Sequence, residues 1–117
     1  MHFVVSATYG PTDPTRAMLP FIFAASAAQS GDQVTIMLFA DSVLMSVEGC
    51  GAKLVPVGPP NRYEEVASHD NVTLMVCKPC VEARGVDAAA LDKRFKLAGM
   101  NEFYAAAKQP DARVVNF

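Results

Sequence analysis

The sequence predicts one α/β domain over residues 1–117, a three-layer α/β/α sandwich around a mostly parallel five-stranded sheet. Three observations predict it. Apolar β-rich runs alternate with helix-like segments along the whole chain, the pattern of repeated βαβ units. Residues 34–40 and 72–76 are apolar without alternation, as strands covered on both faces are. Residues 15–30 form a long Ala-, Leu- and Phe-rich stretch in which Ala17, Phe21, Ala24, Ala25 and Ala28 recur at helical spacing. Their narrow face suits close packing on a sheet.

The elements follow in order. Residues 3–7 read as the first strand, stopped by Gly10 and Pro11. Thr12 or Asp13 offers an N-cap for the long helix, with Pro14 in the first turn, where a missing N–H costs nothing. Gly31 ends that helix, and Pro20 inside it kinks it or leaves one carbonyl unpaired. The second strand, 34–40, leads to Asp41 or Ser42 as the cap of a short helix reaching about Val47. Residues 53–57 read as a brief strand or extended segment, closed by Gly58-Pro59-Pro60. Asn61 is placed to cap a helix over 62–68, and the strand at 72–76 comes next. Residues 81–86 suit a short helix and its Gly85 stop, whereas 87–99 mix helix formers with no clear stripe. Asn101 caps a helix through Lys108, and Pro110 precedes a last strand at 112–117.

Right-handed crossovers bring the carboxyl ends of parallel strands to one edge, where such sheets bind ligands. That edge gathers residues 8–13, Asp41-Ser42 and Cys77-Lys78. Thr8, Tyr9, Thr12 and Lys78 are therefore candidate ligand-binding residues around Cys77. Net charge is −2 with no basic run, which leaves nucleic acid without an electrostatic footprint. The longest apolar stretch, 17–28, falls short of the roughly 20 residues a membrane span needs. The start lacks a basic region and a small-residue cleavage site, and three cysteines is an odd count that suits a reducing compartment. A cytoplasmic protein without a membrane or nucleic-acid partner is expected.

The chemistry concentrates in Cys77-Lys78-Pro79-Cys80. A strand delivers the first thiol to a helix start, where partial positive charge and unpaired N–H groups favour thiolate, and Lys78 adds a cation. Four roles fit a Cys-x-x-Cys pair. The thiols could be core filler. They could bind structural zinc, but Cys50, His69 and His2 supply no second pair at ligand spacing, so no metal is expected. They could form a thioredoxin-type dithiol, although the motif stands late in the chain and Gln109-Pro110 is the only X-Pro bond after it. Finally, one thiol could carry a persulfide. Cys50 lies in a glycine loop without a charged partner, His69 complements a helix end, and Arg84 complements the carboxyl end of the short helix.

Several stretches together resemble the DsrE/DsrF-like family. They are Phe3 to Pro11 with Asp13 to Ala17, Gly31 to Phe39 with Asp41 to Leu44, Val76-Cys77 with Arg84-Gly85-Val86, and Arg113 to Phe117. The resemblance implies a small α/β subunit that assembles into trimers or hexamers, alone or with related subunits. No cofactor is expected. In the sulfur-transferring members the strand-end cysteine carries a persulfide between donor and acceptor proteins, and Cys77 stands at that position. Cys80 departs from the sulfur-relay pattern and is left with three roles: resolving the persulfide as a disulfide, acting as a second carrier, or none. A non-enzymatic scaffold or ligand-binding subunit and a Cys77/Cys80 dithiol oxidoreductase remain as alternatives.

Overall fold

The computed structural model describes residues 1–117. Its sheet consists of β1 (His2–Ala7), β2 (Gln33–Leu38), β3 (Val72–Cys77), β4 (Phe95–Ala98) and β5 (Ala112–Asn116). The strands lie in the order β4-β3-β2-β1-β5 and every pairing is parallel. Around the sheet are α1 (Pro14–Gln29), α2 (Cys50–Lys53), α3 (Tyr63–Ala67), α4 (Lys78–Ala83) and α5 (Met100–Ala107), with 3₁₀ segments at Ala40–Ser46 and Ala88–Ala90. The expected three-layer, five-stranded architecture is present.

Local chemistry explains the element ends. Asp13 caps α1, its Oδ1 accepting from the Arg16 amide at 3.3 Å, and Gly31 leaves the helix at φ +90°. Ala17, Phe21, Ala24, Ala25 and Ala28 are all buried, as their spacing requires. The N-cap of α3 is Arg62 rather than Asn61, but Asn61 stands just before it, accepting from the Tyr63 amide at 2.8 Å while its Nδ2 donates to the carbonyls of Gly51 (2.9 Å) and Leu54 (2.7 Å).

Four further expectations are corrected. Residues 53–57 join no strand, and Val55 and Val57 are each 79% exposed. The fifth strand is instead β4, inside the ambiguous stretch 87–99. Neither Asp41 nor Ser42 caps a helix, because Ala40–Ser46 follows Phe39 directly and the Asp41 carboxylate is taken by Arg84. α5 begins after Gly99 rather than Asn101, with the Glu102 carboxylate accepting from the Gly99 amide at 3.1 Å.

The strand order fixes how the two faces are covered. From β1 to β4 the chain steps across the sheet in one direction, so right-handed crossovers keep those connections on one face. Aromatic pairs fill that layer, among them Phe3–Phe23 and Phe21–Tyr63, each with ring centroids 5.2 Å apart. The step from β4 to β5 runs the opposite way and puts α5 on the other face. One eight-residue helix cannot cover five strands. Accordingly α5 has no fully buried residue, and Val114, Thr73 and Lys96, which share its face by register, are exposed. Polar pairs tie this face together: His2 Nε2 with Thr35 Oγ1 at 2.8 Å, and the Ser6 hydroxyl donating to Asn116 Oδ1 at 2.6 Å.

Candidate functional site

Cys77 is the last residue of β3, paired in register with Ala98 of β4, and its backbone turns directly into α4. Pro79 fits the first turn of that helix, and Gly85 stops it at φ +66°. Three residues of helix bring Cys80 back beside Cys77. Cys77 is buried at 7% exposure, Cys80 is half-buried, and neither is in a disulfide.

Cys80 is held by its surroundings more firmly than the sequence suggests. The Ala40 amide donates to Cys80 Sγ at 3.3 Å, and Ala40 adopts a left-handed φ of +52°, unusual for a residue with a side chain. Asp41, the next residue, accepts on Oδ1 from Arg84 Nε (3.0 Å) and Nη2 (2.8 Å). Arg84 Nη1 donates in turn to the Cys80 carbonyl at 3.1 Å. The loop after β1 closes on the same point. A Cβ at Gly10 would stand 2.5 Å from the Asp41 carbonyl oxygen, so only glycine permits that approach. The loops after β1, β2 and β3 therefore do meet at the carboxyl edge, through Gly10, Asp41, Arg84 and Cys80.

The electrostatics differ from expectation. Burial pushes the Cys77 thiol above its ordinary pKa, and the neighbouring Cys80 thiol raises it further. The Cys80 amide and the Arg84 charge act in the opposite direction without overcoming burial. A helix start was expected to favour thiolate, but α4 has only six residues and Cys77, its N-cap residue, is buried rather than in water. Lys78 does not help, because its ammonium points to Glu82, at 3.9 Å, in an exposed pair.

The other candidates spread out. Thr8 is exposed and donates to the Phe117 carbonyl at 3.1 Å, and the Tyr9 ring lies under the Arg16 guanidinium. Thr12 is exposed in the same loop. Arg84 and Asp41 are the site residues that sequence reasoning undervalued. The signal was present: β2 and β3 end side by side, so an acid after one and a base one helical turn after Cys80 face each other. Arg84 does complement the end of α4, as expected, and it also reaches across to the neighbouring loop.

Cys50 opens α2, half-buried, and burial raises its pKa as well. No group of three or more His, Cys, Asp or Glu side chains is placed to hold a metal ion. The thiols line neither surface groove; one of about 490 Å³ lies beside Met1 and Arg113, and one of about 430 Å³ beside Leu91 and Leu97. No helix is long and apolar enough to cross a membrane.

A strand-end cysteine at the carboxyl edge of this parallel sheet is what the resemblance implies, and the family model for the DsrE/DsrF-like family matches residues 1–117. The chain belongs to the DsrE/DsrF-like family. Among solved structures, the ychN protein from E. coli superposes with a TM-score of 0.81 at 20% identity, covering 100% of this chain and 99% of that one. MTH1491, a protein of unknown function from Methanobacterium thermoautotrophicum, superposes with a TM-score of 0.63 at 9% identity, covering 99% and 96%. At these identities the two establish the fold of this DsrE/DsrF-like chain and nothing finer. No curated protein matches the sequence.

Proposed function

We propose that this protein carries sulfane sulfur as a persulfide on Cys77, taking it from a donor and passing it to the thiol of an acceptor protein. The observation that carries this proposal is the position of Cys77. It ends β3 at the carboxyl edge, beside a second thiol that accepts from the loop after β2. Membership of a family associated with sulfur relay supports it. With thiosulfate as donor, the Cys77 thiolate attacks the sulfane sulfur, the donor S–S bond breaks, and sulfite leaves with the electron pair. Burial serves this role in two ways. It keeps the resting thiol protonated, and it shields the bound sulfur from water and stray thiols. In the same proposal the chain works as a homotrimer or hexamer, with or without related subunits, and the thinly covered α5 face supports such assembly.

Intact mass spectra taken directly after exposure to thiosulfate or polysulfide test the carrier role. The wild-type protein gains one sulfur atom that reductant removes, and Cys77→Ser does not. Because the Cys77 pKa is raised, loading should accelerate about ten-fold per pH unit up to about pH 8.5 without a plateau. A plateau near neutrality would contradict a buried, protonated resting thiol. The neighbouring Cys80 thiol favours one second function, dithiol–disulfide exchange. Its signature is a reversible loss of two hydrogens with no sulfur gained at any time.

A further inference from the structure

Cys80 is anchored to the neighbouring loop through both its sulfur and its carbonyl. Its sulfur accepts the Ala40 amide at 3.3 Å from a residue in left-handed conformation, and its carbonyl accepts from Arg84, which Asp41 fixes with two further bonds. The unusual backbone conformation belongs to Ala40, the residue that presents its amide to this sulfur, and such conformations cluster at functional sites. Cys77 is the N-cap residue of α4 and Cys80 the third residue of that helix, and their two thiols interact directly.

We propose that Cys80 discharges the Cys77 persulfide as hydrosulfide, giving the protein a second activity, thiol-dependent reduction of sulfane sulfur. This rests on the carrier role of Cys77. The Cys80 thiolate attacks Cys77 Sγ, the inner sulfur of the persulfide. A Cys77–Cys80 bond forms, the bond to the outer sulfur breaks, and that sulfur departs as HS⁻ with the electron pair. The two cysteines are thereby oxidised to a disulfide, and the sulfane sulfur takes the two electrons. Two equivalents of a low-molecular-weight thiol then reduce the disulfide and reset the pair.

Attack on the outer sulfur by an acceptor and attack on the inner sulfur by Cys80 are thus competing fates of one intermediate. A docked acceptor diverts the sulfur, and an unoccupied protein releases it. The Ala40 amide and the Asp41–Arg84 pair hold Cys80 beside Cys77.

The experiment loads the reduced protein with sodium tetrasulfide, desalts it, and follows sulfide release and intact mass in thiol-free buffer. Peptide mapping assigns the sulfur. The wild-type chain should release its added sulfur as sulfide and finish two hydrogens lighter than the reduced form. Cys80→Ser should retain the sulfur on Cys77, losing it at least about a hundred-fold more slowly, since an intramolecular attack has been removed. Cys80→Ala, which keeps neither thiol nor hydroxyl, should behave as Cys80→Ser does. If wild type and both variants retain sulfur on Cys77 equally long, the discharge role is wrong and the carrier role stands. If Cys80→Ser and Cys80→Ala take up no sulfur on Cys77, the carrier role itself fails, and discharge fails with it.

Discussion

Gly51→Ala destabilises the fold by about 3 kcal/mol, against the direction that helix propensity alone would give. Gly51 lies in α2, where alanine is ordinarily the better residue. A Cβ at this position would stand 2.5 Å from Cε2 of Tyr63 and 2.9 Å from the Met45 carbonyl oxygen. Neither can give way. The Tyr63 ring is 2% exposed, packed against Phe21 (centroids 5.2 Å) and Phe95 (6.3 Å), and its hydroxyl is pinned to Asp92 at 2.9 Å. The extra methyl must displace either α2 or the aromatic stack, and both belong to the core. Urea denaturation measures the loss. Gly99→Ala is the control: its Cβ would meet only Glu102 Oε2 at 3.8 Å and its φ is −145°, so a change within about 0.5 kcal/mol is expected. Equal stabilities for the two variants would contradict the packing described around Tyr63.

Asp92→Ala should cost about 2–3 kcal/mol at neutral pH and remove most of the acid sensitivity of the fold. Asp92 is 7% exposed, and its carboxylate accepts from the Tyr63 hydroxyl, the Arg94 amide and the Arg94 guanidinium. Arg94 continues to Glu64 at 2.6 Å and 3.0 Å, closing a chain of four side chains between α3 and the entry to β4. The guanidinium, then the backbone and tyrosine bonds, outweigh burial and hold the Asp92 pKa down to about 2, from an ordinary 3.8. A depressed carboxylate contributes stability that is complete above its unfolded pKa and is lost as pH falls through the folded one. The shift corresponds to about 2 kcal/mol, present above about pH 4 and fading toward pH 2. Stability measured from pH 7 to pH 2 should therefore fall steeply at the acid end in wild type and flatten in Asp92→Ala. Parallel curves would mean that the network carries no proton-linked stability.

How much of this was readable beforehand depended on how far each signal reached along the chain. Residues 34–40 and 72–76 signalled central strands because β2 and β3 are flanked by strands on both sides and most of their residues are buried, although β2 ends at Leu38 and Thr73 is exposed. β4 gave no such signal. It is four residues long, lies at the sheet edge, and exposes Lys96 and Leu97, so its sequence resembles a turn more than a core. The converse error came from residues 53–57, where Val55 and Val57 look β-prone but find no strand edge to pair with. Cys77 was legible because local order, a strand running into a helix start, places it. Its pKa was not, because burial by elements distant in sequence sets the direction, and no local motif encodes that. The Asp41–Arg84 clamp joins residues 43 positions apart and follows from strand order, which composition and periodicity do not state. Neighbouring strand ends with opposite charges could have suggested it.

The central claim is that one sulfur atom resides on Cys77. Cyanolysis tests it most directly, because cyanide removes persulfide sulfur as thiocyanate and leaves thiols and disulfides of the pair uncounted. The Cys80→Ser chain, in which loaded sulfur is expected to persist, is exposed to thiosulfate or tetrasulfide, desalted and treated with cyanide. The account predicts one cyanide-labile sulfur per chain in Cys80→Ser and none when Cys77 is also replaced by serine. Equal thiocyanate from both proteins, or none from either, would contradict it.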